Sequence, residues 1–294
     1  MNYENLYQEK LKKQPLSRKV SLKIALHLMP LKQRMAWIAV WTLQQELNQT
    51  FNLKLENEVR LKKLFWWIEE LQGLLEGRAT HPLTRSMMSI VLPLFNHETP
   101  REIFEPLVHA WSGMAGTESF IWLNQAELSR FSYAFEGVFE ALQAKICLGH
   151  NIQHQLNEYV VHASDARVRI NLLCHFGELI RHGNLPIPLS QLNTHGLISQ
   201  EVLHWRKEID AVNWIDLASE LAEFAKNEAK MALQWIQPLP EFERKSQWLS
   251  LALLKADLAL LELIEESSFH VISQKIDLSP RKAALITLKT KFFN

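Results

Sequence analysis

The chain has 294 residues, of which 47 % are hydrophobic and 22 % are charged, and this composition is typical of a globular protein. Its formal net charge is zero, which excludes a chain-wide positive field that would attract nucleic acid. The two cysteines, Cys147 and Cys174, exclude a disulfide scaffold and a CxxC zinc site.

The sequence predicts neither a secretory signal nor a membrane span. The N-terminus lacks the apolar core of a signal peptide. The longest apolar run, Leu249 to Ile264, is short and contains Lys255 and Asp257. We therefore expect a cytoplasmic protein that contacts a membrane at most peripherally. A basic cluster between Lys10 and Lys23 suits either anionic lipid or a solvated leader.

Apolar residues recur at helical spacing along most of the chain, and strict alternation is rare. This periodicity predicts an all-α bundle that forms a single domain over residues 1–294. In chain order, the predicted helices cover residues 19–29, 32–51, 55–76, 83–92, 104–114, 125–148, 152–182, 199–210, 213–236, 241–267 and 280–292.

Two local signals refine these boundaries. Asn124 and Glu127 have the spacing of a capping box, in which each side chain binds the other residue's backbone amide. The segment 184–196 contains Pro186 and Pro188 and is predicted to be a loop, because proline disrupts regular helix.

Aspartate is scarce in this sequence. The aspartates lie in the second half of the chain, and no two are four residues apart: Asp165, Asp210, Asp216, Asp257 and Asp277. Two aspartates at i and i+4 would place both carboxylates on one helical face, where they could hold Mg²⁺. A magnesium site of the DxxxD type is therefore missing its usual ligands.

One tract has a more specific pattern than helical periodicity. The sequence WWIEEL at residues 66–71 is followed by Gly77 and then by THPLT at residues 80–84. This arrangement resembles a tract of the squalene/phytoene synthase family that contains Trp, an acidic residue, Leu, Gly and His-Pro. The resemblance is clear over about residues 20–205 and looser in the C-terminal helices.

Three further tracts extend this resemblance. The first begins at Ser21, in SLKIALHLMPLKQRMAWIAVWTLQQEL. The second, LSRFSYAFEGVFEAL, offers Tyr133 and Gly137 as counterparts of family residues. The third, INLLCHFGELIRHGNLPIPLSQLNTHGL, places Asn171 in register with a family asparagine.

The resemblance implies an isoprenoid-synthase-type helical bundle with a central cavity. Enzymes of this family join two prenyl diphosphates, using Mg²⁺ held by two Asp-rich motifs on facing helices. The substrate-pocket positions implied by the resemblance are Ser21, Gln45, Asn48, Asn52, Tyr133, Gly137, Asn171, His175 and Leu179.

The sequence departs from the family at the metal ligands. Asn48 and Asn52 replace both aspartates of the first motif, and His175 and Leu179 replace those of the second. Gln45 stands in place of the arginine that precedes the first motif. Neutral side chains do not supply the charge that divalent cations and diphosphate require. We expect no cofactor, and the catalytic residues stay unassigned.

An alternative metal site is open at the second motif. His175, Glu178 and His182 lie at i, i+3 and i+7, and imidazole suits Zn, Fe or Mn. In the simpler interpretation, His175 fills space in the cavity while Glu178 and His182 are solvated near the end of the helix.

Three functional hypotheses remain. In the first, a non-catalytic family member binds an isoprenoid lipid or assists a protein partner as an assembly or interaction factor. In the second, an active prenyltransferase condenses prenyl diphosphates and holds Mg²⁺ through altered ligands. In the third, the cavity has filled and the protein is a helical scaffold. None of them involves nucleic acid.

Overall fold

A computed structural model describes residues 3–51, 57–95, 98–114, 122–149, 152–207 and 213–293. The described residues form helices and no strand, which confirms the predicted all-α class. The helices of the first half are α1 (Tyr3–Lys13), α2 (Leu16–His27), α3 (Leu31–Asn48), α4 (Asn57–Leu75), α5 (Pro82–Ser86), α6 (Pro100–Ser112), α7 (Gln125–Ser132) and α8 (Val138–Leu148).

The helices of the second half are α9 (His154–Cys174), α10 (Phe176–Arg181), α11 (Leu189–Thr194), α12 (Ser199–His204), α13 (Trp214–Ile236), α14 (Glu241–Ser246), α15 (Trp248–Glu266) and α16 (Pro280–Phe293). Two π-helical turns, at Met87–Val91 and Tyr133–Gly137, and two short 3₁₀ turns, at Gln49–Phe51 and Leu92–Leu94, lie between them. Because Tyr133–Gly137 lies directly between α7 and α8, these three elements form one long helix with a π-bulge.

The long helices α9 and α13 pack against each other along much of their length. The buried face of α13 carries a row of alanines at helical spacing: Ala218, Ala222, Ala225, Ala229 and Ala232. Such small side chains allow a short distance between helix axes. α9 is thereby held in the bundle, and the predicted second motif, His175 to Leu179, begins directly after its last residue.

The first helix was not predicted, because its sequence resembles a charged leader. In the structure Tyr7 and Leu11 of α1 are buried and pack beside Trp41 of α3. Lys10 forms a buried ion pair with Glu46 of α3. Part of the basic N-terminal cluster is therefore docked on the bundle rather than solvated.

Several predicted boundaries were wrong. The helix expected over 152–182 is interrupted at His175, where φ and ψ are −100° and 13°. The loop expected over 184–196 contains α11. The helix expected at 104–114 begins instead at Pro100, where Thr99 and Glu102 form a complete capping box.

At Asn124 the predicted capping box is only half present. The Asn124 side chain accepts from the Glu127 amide at 3.1 Å, but the Glu127 carboxylate binds the Leu123 amide instead of the Asn124 amide. Of the helices that the structure describes, none has the length and apolar character needed to cross a bilayer.

Candidate functional site

α3, which ends at the first predicted motif, and α9, which ends just before the second, both contact the π-helical turn Tyr133–Gly137. From α3, Gln44 Nε2 donates to the carbonyl oxygen of Phe135 at 3.3 Å. From α9, Ser164 approaches so closely that a Cβ at Gly137 would lie 2.8 Å from its Oγ. π-Bulges interrupt regular helix and are frequent at functional sites.

An apolar cavity of about 130 Å³ lies between this turn and the end of α9. Among the residues that the structure describes, its polar lining residues are Asn171, His175 and Asn184, and none of its lining residues is a carboxylate. An engineered cavity of about 150 Å³ holds a molecule of benzene, so this space suits a short hydrocarbon segment. The apolar lining consists of Trp122, Phe131, Phe135, Val168, Leu172, Leu179, Leu185 and Pro186.

A close backbone contact accompanies the break that places His175 in this cavity. A Cβ at Gly177 would lie 2.1 Å from the carbonyl oxygen of Ile272, so only glycine fits there. The Gly177 amide donates to the carbonyl oxygen of Val271 at 3.3 Å. α10 thus begins against the 271–272 backbone instead of continuing the axis of α9.

Burial lowers the pKa of His175 below its ordinary value of 6.5, and the nearby carboxylate of Glu178 opposes this effect only in part. The imidazole is therefore neutral at pH 7. A neutral imidazole and two amide side chains can hydrogen-bond a hydroxyl or carbonyl group, but they supply no charge to neutralise a diphosphate.

The structure places Asn171, His175 and Leu179 together in the cavity. Of the other predicted pocket residues that the structure describes, none lines it. Ser21 is buried elsewhere and accepts a hydrogen bond from Thr287 Oγ1 at 2.9 Å. Gln45 Oε1 accepts from Gln14 Nε2 at 2.9 Å.

Asn48 is the last residue of α3, and its buried Oδ1 has no hydrogen-bond partner among the described residues. The helix predicted to extend to residue 51 leaves α geometry after Asn48 and continues as a 3₁₀ turn. Asn52 lies outside the described residues, so its predicted place near Asn48 is untested.

Tyr133 and Gly137 form a close pair within the π-helical turn. A Cβ at Gly137 would lie 2.7 Å from Cδ2 of the Tyr133 ring, so the absence of a side chain makes room for that ring. Burial raises the pKa of the Tyr133 hydroxyl, and Tyr133 is therefore un-ionised at neutral pH.

Sequence reasoning missed a buried ionic network centred on Arg167 of α9. Its guanidinium contacts Glu136 of the π-helical turn, Glu140 of α8 and Asp257 of α15. Arg18 of α2 also approaches Glu136, at 3.4 Å. Charged groups of this network therefore connect five neighbouring elements of the bundle: α2, the π-helical turn, α8, α9 and α15.

The chemistry of this network is set by burial and by ion pairing. Burial raises the pKa of Glu140 and of Asp257, and the positive charge of Arg167 opposes that rise. For Arg167, burial acts to lower the pKa, but the negative charges around it, first of all those of Glu136 and Glu140, outweigh burial and leave the pKa above its ordinary value. The guanidinium thus stays charged and holds the surrounding carboxylates.

Two small cavities flank the Arg167 network. One, of about 20 Å³, is lined in part by Glu140 and Arg167. The other, of about 30 Å³, is lined in part by Ser21 and Asp257. Each has room for about one or two water molecules, and neither can take an isoprenoid chain.

The candidate site does not fit magnesium. Mg²⁺ requires hard oxygen ligands, usually with at least one carboxylate, and the described residues that line the apolar cavity supply no carboxylate. Within the described part of the chain, no group of three His, Cys, Asp or Glu side chains is placed to hold a metal ion.

The alternative transition-metal site is likewise not assembled. Glu178 and His182 are exposed, whereas His175 is half-buried in the cavity. The break at His175 disturbs the expected spacing, and His182 Nδ1 lies 2.8 Å from the backbone oxygen of Glu178.

Some of the missed residues had a signal in the sequence. Phe131 and Phe135 are four residues apart and therefore share a helical face, as aromatic wall residues of a cavity must. Arg167 stands between two other charged residues, Asp165 and Arg169, at alternate positions that point to different sides of a helix. Charges in such a position call for buried partners.

Comparison with known proteins agrees with the family resemblance found in the sequence. The sequence model of the family described as "Squalene/phytoene synthase" matches residues 18–282. No curated protein sequence is significantly similar to this chain.

Three solved structures share the fold. A dehydrosqualene synthase in complex with ligand has a TM-score of 0.71 at 14 % identity and covers 99 % of this chain and 98 % of its own. Squalene synthase HpnC from Alicyclobacillus acidocaldarius has a TM-score of 0.64 at 13 % identity and covers 89 % and 99 %. YisP from Bacillus subtilis subsp. subtilis strain 168 has a TM-score of 0.60 at 17 % identity and covers 97 % and 96 %.

Proposed function

This chain belongs to the squalene/phytoene synthase family, and on that premise we propose that it binds a neutral isoprenoid lipid without ionising a prenyl diphosphate. The observation that carries the proposal is the cavity at the second motif. Its walls are aromatic and aliphatic, and the polar groups among its lining residues are the neutral side chains Asn171, His175 and Asn184.

The dimensions of the cavity support a hydrocarbon segment as its occupant. At about 130 Å³ it accommodates on the order of one isoprene unit, while the rest of a longer chain extends outward. Trp122, Phe131 and Phe135 supply rigid aromatic surface, which gives favourable apolar contact at little conformational cost. The side-chain amides of Asn171, which is exposed, and Asn184, which is half-buried, suit a hydroxyl or carbonyl head group.

The absence of carboxylates from the part of the lining that the structure describes argues against the family reaction at this cavity. Departure of a diphosphate requires that its developing charge be neutralised, usually by divalent cations. His175 is neutral at pH 7 because burial lowers its pKa, and Leu179 is apolar. Neither side chain supplies the negatively charged oxygen atoms with which an aspartate binds a divalent cation.

Titration calorimetry of the whole protein with farnesol tests the proposal. The titration is done in a detergent kept below its critical micelle concentration. We expect saturable binding that Leu179→Asp weakens at least tenfold, because a carboxylate in an apolar cavity must be desolvated when the ligand enters. Ile198→Asp is the matched control, since Ile198 is exposed and lies outside the cavity.

Each outcome decides between the hypotheses. Loss of binding in Leu179→Asp together with wild-type affinity in Ile198→Asp would support the proposal. Absence of farnesol binding by the wild-type protein would contradict it and favour a filled helical scaffold or an interaction factor. Equal weakening by both variants would place the ligand elsewhere and also contradict the proposal.

A further inference from the structure

Helix α16 exposes its large apolar residues and buries small or polar ones. Its buried positions are small or polar, namely Ala283, Thr287 and Thr290, and half-buried Ile286 packs beside Ala283. The large apolar residues Leu285, Leu288 and Phe292 point outward, with 53 %, 39 % and 64 % of their surface exposed. A surface helix normally has the opposite arrangement, with its apolar stripe toward the core.

The exposed apolar residues Leu285, Leu288 and Phe292 form an apolar ridge along one face of α16. Positions 285, 288 and 292 are separated by three and four residues, so their side chains lie on the same helical face. Phe293, which is 86 % exposed, extends the apolar surface at the end of the helix. Isolated exposed leucines are common, but contiguous apolar patches usually mark an interaction site.

Hydrogen bonds fix the orientation of this ridge. Thr287 Oγ1 donates to Ser21 Oγ of α2 at 2.9 Å and also lies 2.8 Å from the Ala283 carbonyl oxygen. On the neighbouring side, Lys291 lies over the Trp248 ring of α15, 4.7 Å from its centroid. α16 is therefore held between α2 and α15, and its apolar ridge cannot turn inward without breaking these contacts.

Basic residues lie on α16 and on α2, one of its two neighbours, whereas the other neighbour, α15, carries exposed glutamates. α16 contains no acidic residue, and Arg281, Lys282 and Lys289 are exposed. The adjacent helix α2 also lacks acidic residues and adds exposed Lys23 together with half-buried Lys19. Although the whole chain is neutral, these two packed helices therefore form a locally basic surface around the apolar ridge.

We propose that the outer face of α16, together with the basic residues of α2, binds the surface of an anionic lipid bilayer. Leu285, Leu288 and Phe292 would enter the boundary between head groups and acyl chains, as the apolar face of an interfacial helix does. Lys23, Lys282 and Lys289 would contact anionic head groups. A bilayer is the occupant that this surface fits, because the basic residues of α16 and α2 accompany the apolar ridge and complement anionic head groups.

Co-sedimentation with vesicles tests this assignment on the whole protein. We expect binding to vesicles of phosphatidylcholine with about one-third phosphatidylserine, and at least tenfold weaker binding to phosphatidylcholine alone, since each basic residue near an anionic surface contributes about fivefold. Raising the salt concentration should weaken the binding, because it screens the head-group charge.

Two variants separate the apolar and the ionic contributions. Leu285→Ser/Leu288→Ser/Phe292→Ser should reduce vesicle binding at least tenfold. Lys282→Glu/Lys289→Glu should abolish the preference for phosphatidylserine. Matched controls remove similar exposed side chains elsewhere: Leu123→Ser/Ile215→Ser/Phe242→Ser for the ridge, and Lys63→Glu/Lys230→Glu for the charges.

Unchanged thermal melting by circular dichroism would show that the variants fold, as expected for exposed positions. If wild-type protein fails to bind anionic vesicles, or if the control variants lose binding as much as the α16 variants, the proposal is overturned. Binding that is equal for neutral and anionic vesicles would also overturn it.

Discussion

Arg167 Nη1 donates a hydrogen bond to Glu140 Oε2 at 3.1 Å between two side chains that are almost completely buried. Glu140 is held on its other side by Ser250, which lies 2.6 Å from the Tyr159 hydroxyl. This polar chain passes through the middle of an otherwise apolar bundle. It positions α8, α9 and α15 relative to one another through charged and hydrogen-bonded groups as well as through packing.

Replacing Arg167 should destabilise the protein strongly. Arg167→Leu leaves Glu136, Glu140 and Asp257 without their central cation, and breaking a buried pair in this way costs about 3–5 kcal/mol. Urea denaturation at pH 7 measures the free energy of unfolding directly.

The matched control is Arg130→Leu. Arg130 pairs with Glu127 at 3.9 Å, and its side chain is 76 % exposed. Surface pairs of this kind contribute about 0–1 kcal/mol. Similar losses for both arginines would contradict the structural role assigned to the buried network.

Glu70 should contribute stability that depends on pH. Its carboxylate accepts hydrogen bonds from the Thr80 amide at 2.7 Å, the His81 amide at 2.8 Å and the Thr84 hydroxyl. Burial acts to raise the pKa of Glu70, but these hydrogen bonds outweigh it and leave the pKa below the ordinary 4.5. The carboxylate thus anchors the start of α5.

We expect Glu70→Gln to cost about 1.5–3 kcal/mol at pH 7, the range for hydrogen bonds to a charged group. Because the pKa is lowered in the folded state, this stabilisation is complete above pH 4.5 and is lost as the pH falls through the folded-state pKa. The difference between wild type and variant in urea denaturation should therefore shrink in acid.

The neighbouring exposed residue gives the control, since Glu69→Gln should change stability by less than about 0.5 kcal/mol. A difference for Glu70→Gln that grows as the pH falls below 4.5 would mean that the sign of the shift is wrong.

Alanine should have opposite effects at two glycines. A Cβ at Gly177 would lie 2.1 Å from the Ile272 carbonyl oxygen, so Gly177→Ala must displace the backbone that places His175 in the cavity. We expect a loss of about 1–3 kcal/mol. A Cβ at Gly73, inside α4, would come no closer than 3.5 Å to the Arg78 oxygen.

Gly73→Ala should therefore stabilise the protein by about 0.5–1 kcal/mol, since alanine loses less backbone entropy in a helix. Thermal denaturation of both variants checks this pair of signs. A Gly177→Ala variant as stable as wild type would show that the contact with Ile272 is easily relieved.

The sequence predicts more of the fold than of the site. Helical periodicity identifies the all-α class, and the family pattern brings Asn171, His175 and Leu179 together because they lie close in sequence. The break at His175 is not predictable from periodicity, since its cause is the backbone at Ile272, which is distant in sequence.

Long-range contacts account for the other omissions. Arg167 and Asp257 are 90 residues apart, and a helical pattern does not indicate which partner a buried charge will meet. The wall formed by Phe131 and Phe135 comes from a different helix than the motif residues it faces. Ser21, by contrast, was identified by resemblance as a pocket residue, but in the structure it is joined to Thr287 of α16.

The most direct test of the central claim is titration calorimetry of the whole protein with farnesyl diphosphate, once in magnesium chloride and once in EDTA. The neutral lining of the cavity predicts that the dissociation constant changes by less than about twofold between the two conditions. A dissociation constant at least tenfold lower in magnesium would contradict the account and would support an active prenyltransferase that holds the metal through altered ligands.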